Sequence, residues 1–202
     1  MKLEKVEKIL QLEWNMFQKV ENIGGRASCQ ENFETFYIMR RSQYENWTDE
    51  MLDVWLKYVM ECEEEGRNLL SEKYARMMQS TNPLEYARLE NDLPVINEDR
   101  IKIQEEIIKI QVGWMEDFAK LYPKLSGNMR TIHTSSDTSF NTSYETYLRG
   151  ELCTYSEKTM ILYASFIIGL LNAGRNLAIE VMGNTANLYG FDSLLEAEQK
   201  QS

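Results

Sequence analysis

Proline interrupts this chain only at Pro83, Pro94 and Pro123, so residues 1–82 and 124–202 run without it. Proline is tolerated only in the first turn of a helix and breaks central strands, so its rarity leaves room for long regular elements. Glycine is also sparse, at 10 of 202 positions. Apolar residues recur at three- and four-residue steps, and no segment alternates convincingly at period two. The pattern predicts an all-α fold, a single compact bundle of about six to eight helices. The length of 202 residues fits one domain over 1–202.

The first helix is predicted over 2–21, with Val6, Leu10, Phe17 and Val20 on one stripe. A second is expected to start in Ser28-Cys29-Gln30-Glu31, where Ser28 and Glu31 have capping-box spacing. Phe33, Phe36, Tyr37 and Tyr44 mark its apolar side. Thr48 opens a third, whose stripe runs from Met51 through Trp55 and Cys62 to Leu69 and Leu70, with a solvated acidic run at 61–65. Pro83 begins a short helix. Two long helices, 98–122 and 156–182, are expected at the centre, and 193–199 closes the chain.

The net charge of −10, from 32 acidic and 22 basic residues, argues against a nucleic-acid partner. His133 is the sole histidine, which excludes zinc sites of several imidazoles and the Glu-x-x-His pairs of a ferritin-like di-iron centre. No spacing supports an all-carboxylate metal site. There is no Cys-x-x-Cys, Gly-x-Ser-x-Gly or Rossmann glycine pattern, so the sequence names no cofactor. The apolar run from Met160 to Leu171 is too short to span a bilayer, and no membrane partner is expected. The start Met1-Lys2-Leu3-Glu4-Lys5 lacks a signal-peptide core. With Cys29, Cys62 and Cys153 widely spaced, reduced thiols and a cytoplasmic location are expected.

Three features carry chemistry. Glu13 and Arg40 fall on the apolar stripes of their helices, as do Gln104 and Gln111 on the central helix and Asn172 and Asn176 on the last long one. Buried charge must be paired. These residues either form an internal network, with Glu13 paired to Arg40, or line one pocket between helices. The turn Gly24-Gly25-Arg26-Ala27-Ser28-Cys29-Gln30 joins two helices. It is either a glycine C-cap followed by a capped helix, or an anion site built from a helix N-terminus and the Arg26 fork. Cys29, in that first turn, could act as a nucleophile only with His133 as its histidine partner.

The third feature is the segment 126–143, where helical periodicity fails. Nine of the sixteen residues from Thr131 to Thr146 are Ser or Thr. A loop this long is either disordered or functional. It carries Arg130 and His133, and an ordered form would offer many donors and acceptors to a polar ligand. The amphipathic stretch after it puts Tyr144, Tyr147, Leu148 and Glu151 on one side, while Glu145 and Arg149 form an i,i+4 pair.

The block from Glu13-Trp14 and Met16-Phe17 through Gly24–Gln30, together with Leu89–Pro94 and Tyr144–Leu152, resembles a bacterial family known as a domain of unknown function. The resemblance spans nearly the whole chain and implies a compact helical domain. It carries over no activity, and associates such domains with nucleotidyltransferase-like proteins. Two functions are therefore expected. In the first, the chain is a small-molecule enzyme or binding domain for a polar, anionic ligand. Gly25, Arg26, Ser28, Cys29, Arg40, Arg130, Tyr144 and Arg149 would bind it, and Glu13 or His133 would transfer protons. In the second, it is a non-catalytic helical partner subunit of an enzyme such as a nucleotidyltransferase, in a homo- or hetero-oligomer. A closed pocket lined by Glu13, Arg40 and His133 would favour the first, and an exposed apolar patch without a pocket the second.

Overall fold

Asparagine caps and left-handed glycines set several of the helix ends, which is why there are more helices than the prolines suggest. The computed structural model describes residues 2–21 and 25–201. These form α1 (Lys2–Gln18), α2 (Phe33–Tyr44), α3 (Asp49–Glu64), α4 (Leu69–Thr81), α5 (Pro83–Leu89), α6 (Glu98–Leu121), α7 (Pro123–Gly127), α8 (Tyr144–Cys153), α9 (Glu157–Asn172), α10 (Leu177–Leu188) and α11 (Leu194–Lys200). Short 3-10 turns lie at Ser28–Glu31, Glu90–Asp92 and Thr134–Ser136. Among the described residues there is no strand, only an isolated bridge between Thr138 and Asn141.

The all-helical expectation is met, but six to eight helices was too few. Gly66, at φ +74°, splits the stripe assigned to the third helix, and Asn68 caps a separate α4 by accepting from Ser71 N at 3.0 Å. Gly174, at φ +66°, breaks the element expected over 156–182 into α9 and α10, which meet at 97°. Asn176 therefore caps α10, accepting from Ile179 N and donating to the Trp114 carbonyl at 3.0 Å, while Asn172 is exposed at the end of α9. Ser28 does not cap α2. It opens the preceding 3-10 turn, and Asn32 takes the cap through Thr35 N at 3.0 Å.

The core gathers Val6, Ile9 and Leu10 of α1, Leu52, Trp55 and Val59 of α3, Ile107, Ile108 and Phe118 of α6, and Met160 and Ile167 of α9. Each such side chain contributes roughly 1.5–3 kcal/mol by leaving water. Trp47, Trp55, Tyr155 and Tyr163 pack edge-on and tilted against one another, with centroids 5.1–6.3 Å apart. Gln104 and Gln111 lie buried on α6, as the apolar arc predicts.

Gly150 fixes the seam that matters for the site. A Cβ there would come within 2.9 Å of the Met77 side chain and 3.0 Å of the Lys73 carbonyl, so only glycine lets α8 approach α4 this closely. The Ser/Thr-rich segment is ordered, not disordered. Asp137 accepts from Ser80 Oγ at 2.5 Å, Thr146 Oγ1 at 2.6 Å and Ser143 N at 2.7 Å, which ties the loop to α4 and to the start of α8. Burial acts to raise the Asp137 pKa, but these hydrogen bonds outweigh it and hold the carboxyl below its ordinary value.

Candidate functional site

Four charged side chains from four helices form one buried chain. Arg40 of α2 grips Glu13 of α1 through Nε at 2.8 Å and Nη2 at 2.7 Å, and reaches Glu151 of α8 through Nη1 at 2.8 Å. Lys73 of α4 donates to the other Glu151 oxygen. Burial acts to raise the Glu151 pKa, but the charges of Arg40 and Lys73 overturn it and hold the carboxyl at about 2. Glu13 also accepts from the Tyr44 hydroxyl and from Trp55 Nε1 at 3.2 Å, so both of its oxygens are engaged. The expected Glu13–Arg40 pair is thus present, extended by Glu151 and Lys73.

A cleft of about 440 Å³ opens over one end of this chain, between α2, α4, α8 and the turn before α2. Arg40, Lys73 and Glu151 line it, with Ser28 and Cys29, Asn32 and Thr35, Arg130, Tyr74 and Tyr147. Both segments singled out in the sequence therefore reach it, one through Ser28 and Cys29 and the other through Arg130. Glu13 and Glu151 balance Arg40 and Lys73, so Arg130 is the one cation of the cleft lining left over, in a protein of net charge −10. Arg130 stacks over the Tyr147 ring at 4.9 Å and donates to the Thr142 carbonyl at 3.3 Å. Among the described residues it has no carboxylate partner. Lys73 Nζ lies 3.5 Å from the centre of the same ring.

This field acts on the two phenols differently. Burial raises the Tyr74 phenol, and Tyr147 and Cys29 add to the effect. At Tyr147 burial also works upward, but the charges of Lys73 and Arg40 prevail and lower the phenol below its ordinary value. A tyrosine shifted down beside a lysine and open to a cleft can both donate and accept a proton.

The other expected site residues lie elsewhere. Glu13 sits behind Arg40 and does not line the cleft. His133 is exposed, with Nε2 3.1 Å from Glu116 Oε1. Arg26 is exposed and donates to the Gln18 side chain and, at 3.1 Å, to the Gln30 carbonyl. Gly25 adopts φ +88° beside it, and Gly24 is outside the described residues. Arg149 is clamped by Glu105 at 2.7 and 2.8 Å and by Glu145 at 2.8 Å, over a separate shallow recess with Arg76 and Thr134. Tyr144 lines a smaller cavity.

Lys73, Tyr74 and Tyr147 were not among the expected site residues. Lys73 stands four residues from both Leu69 and Met77, on the buried side of α4. That signal was legible only once α4 is separated from α3. Gln30 also escaped notice. Its buried amide donates to the Phe17 and Val20 carbonyls at 2.8 and 3.0 Å and accepts from Ala27 N, tying the turn to the end of α1. Among the described residues no cluster of three or more His, Cys, Asp or Glu side chains could hold a metal ion, and no single helix is long and apolar enough to cross a membrane.

Fold and site together define an all-helical protein with a cationic cleft above a buried ion-pair chain. The chain belongs to the family described as protein of unknown function (DUF4125), whose model matches residues 4–199. No curated protein and no solved structure matches it.

Proposed function

We propose that the chain binds a small polar anion, a carboxylate or phosphate compound, in the cleft of Arg40, Lys73 and Arg130. One observation carries this reading: Arg130, without a carboxylate partner among the described residues, faces a cleft whose floor is an already balanced chain of Glu13, Arg40, Glu151 and Lys73, so its charge is the one left unmatched there. An incoming anion would complete that charge pattern through charge-assisted hydrogen bonds. In an enzymatic version, Tyr147 is the proton-transfer group, since it faces the cleft and its phenol is lowered, whereas Glu13 and His133 do not line it. Three cysteines without disulfides support a reducing, cytoplasmic setting.

Titration calorimetry of the full chain with inorganic phosphate and with succinate tests the proposal. Binding should weaken with salt and fall roughly 10- to 100-fold in Arg130→Ala, the loss of one charge-assisted contact. Arg130→Lys should recover part of it, keeping the charge but losing the fork. Failure of both anions to bind, or unchanged binding by Arg130→Ala, would sink this reading.

One observation favours the partner-subunit alternative. Ile161, Ile168 and Leu171 form an exposed apolar stripe on α9. On that reading the helical domain docks through α9 on an enzyme such as a nucleotidyltransferase, and Ile168→Glu should abolish the association.

A further inference from the structure

Tyr147 and Glu151 also line a second, smaller cavity of about 100 Å³. The rings of Trp47, Tyr144, Tyr155 and Tyr163 form much of its wall, with α10 closing one side. Its polar edge is Gln111, a residue only 4% exposed. Gln111 Oε1 accepts from the Tyr163 hydroxyl at 2.9 Å, but Nε2 has no partner. In this orientation Tyr163 satisfies the amide oxygen, and the amide donor stays bare. Buried amide donors are nearly always paired, and an orphan costs free energy unless something else satisfies it.

A second donor stands close by. The Tyr144 hydroxyl makes no hydrogen bond among the described residues, and Tyr144, Tyr163 and Gln111 all line this one cavity. The cavity volume is about two-thirds of the ~150 Å³ void that accepts benzene. That is room for a five-membered ring or a short branched chain. An anion would meet the Glu151 carboxylate in the wall, and a cation would meet the bare amide N–H. Neither charge is matched there, whereas an uncharged acceptor oxygen is.

We infer that this chamber binds a small uncharged compound bearing a carbonyl or ether oxygen, which accepts from Gln111 Nε2 and the Tyr144 hydroxyl while the aromatic rings enclose its carbon frame. The inference does not rest on the anion reading of the cleft.

The test pairs cyclopentanone with methylenecyclopentane, which has nearly the same shape but no acceptor. Ligand-observed NMR on the full chain would give both affinities. The wild type should prefer the ketone by about 3- to 10-fold, the worth of one neutral hydrogen bond. Gln111→Met, which keeps the volume and removes one of the two donors, should reduce the preference. Tyr144→Phe, which removes a single hydroxyl and keeps the ring, should reduce it and serves if Gln111→Met fails to fold. Equal affinity for the two probes, a preference untouched by both variants, or no ketone binding up to its solubility would overturn the inference and leave a chamber that holds only water.

Discussion

Glu151→Gln removes one charge from the centre of the buried chain and leaves the shape nearly unchanged. Arg40 keeps Glu13, but Lys73 and Arg40 are left to share one neutral amide oxygen at position 151, and Lys73 otherwise keeps only the Tyr147 ring. Lys73 is 4% exposed, so little water can replace the lost partner. Breaking such a pair should cost about 3–5 kcal/mol at neutral pH, read from urea unfolding curves. The pH dependence is a second, independent signature. The Glu151 pKa is about 2 when folded against an ordinary 4.5, a depressed value, so its stabilisation is complete above about 4.5 and is lost as the pH falls toward 2. At 1.36 kcal/mol per pH unit the whole effect is roughly 3 kcal/mol, of which about 2 disappear between pH 5 and pH 3. The wild type should therefore lose about that much more stability than the variant over this interval. Adding Lys73→Met to Glu151→Gln should restore much of the neutral-pH loss, because the uncompensated cation is gone. Parallel pH curves for wild type and Glu151→Gln, or a double variant no better than the single, would refute the account of Glu151 as the hub of a buried ion-pair chain.

Two further outcomes follow from the packing. Gly150→Ala should destabilise by about 1–3 kcal/mol, since its Cβ would press on the Met77 side chain and the Lys73 carbonyl, and thermal melts would show it. It should also weaken phosphate binding if Lys73 shifts with that carbonyl. Asp137→Asn keeps the size but weakens three contacts with the loop and α4, so amide exchange within 131–143 should accelerate while the core stays protected. Unchanged loop protection would mean that the neighbouring hydroxyls hold the segment without the carboxylate.

Local physics alone determined much of this protein. Helical periodicity and the scarcity of proline gave the all-α class, because amphipathic spacing is a property of consecutive residues. Polar residues on apolar stripes exposed Glu13, Arg40, Gln104 and Gln111 as buried, and their burial required partners. Tertiary structure decided the rest. Helix count turned on Gly66 and Gly174, whose left-handed geometry depends on how the flanking helices pack as well as on the residue itself. The identity of the partners was also nonlocal. Glu151 is 111 positions from Arg40 and 78 from Lys73, and no pattern along one helix reports which face of another it will meet. His133 and Arg149 looked as suited to an anion as Arg130 did. Only the fold set His133 against Glu116, clamped Arg149 with Glu105 and Glu145, and left Arg130 over the cleft, because a side chain's availability depends on neighbours brought in from distant parts of the chain.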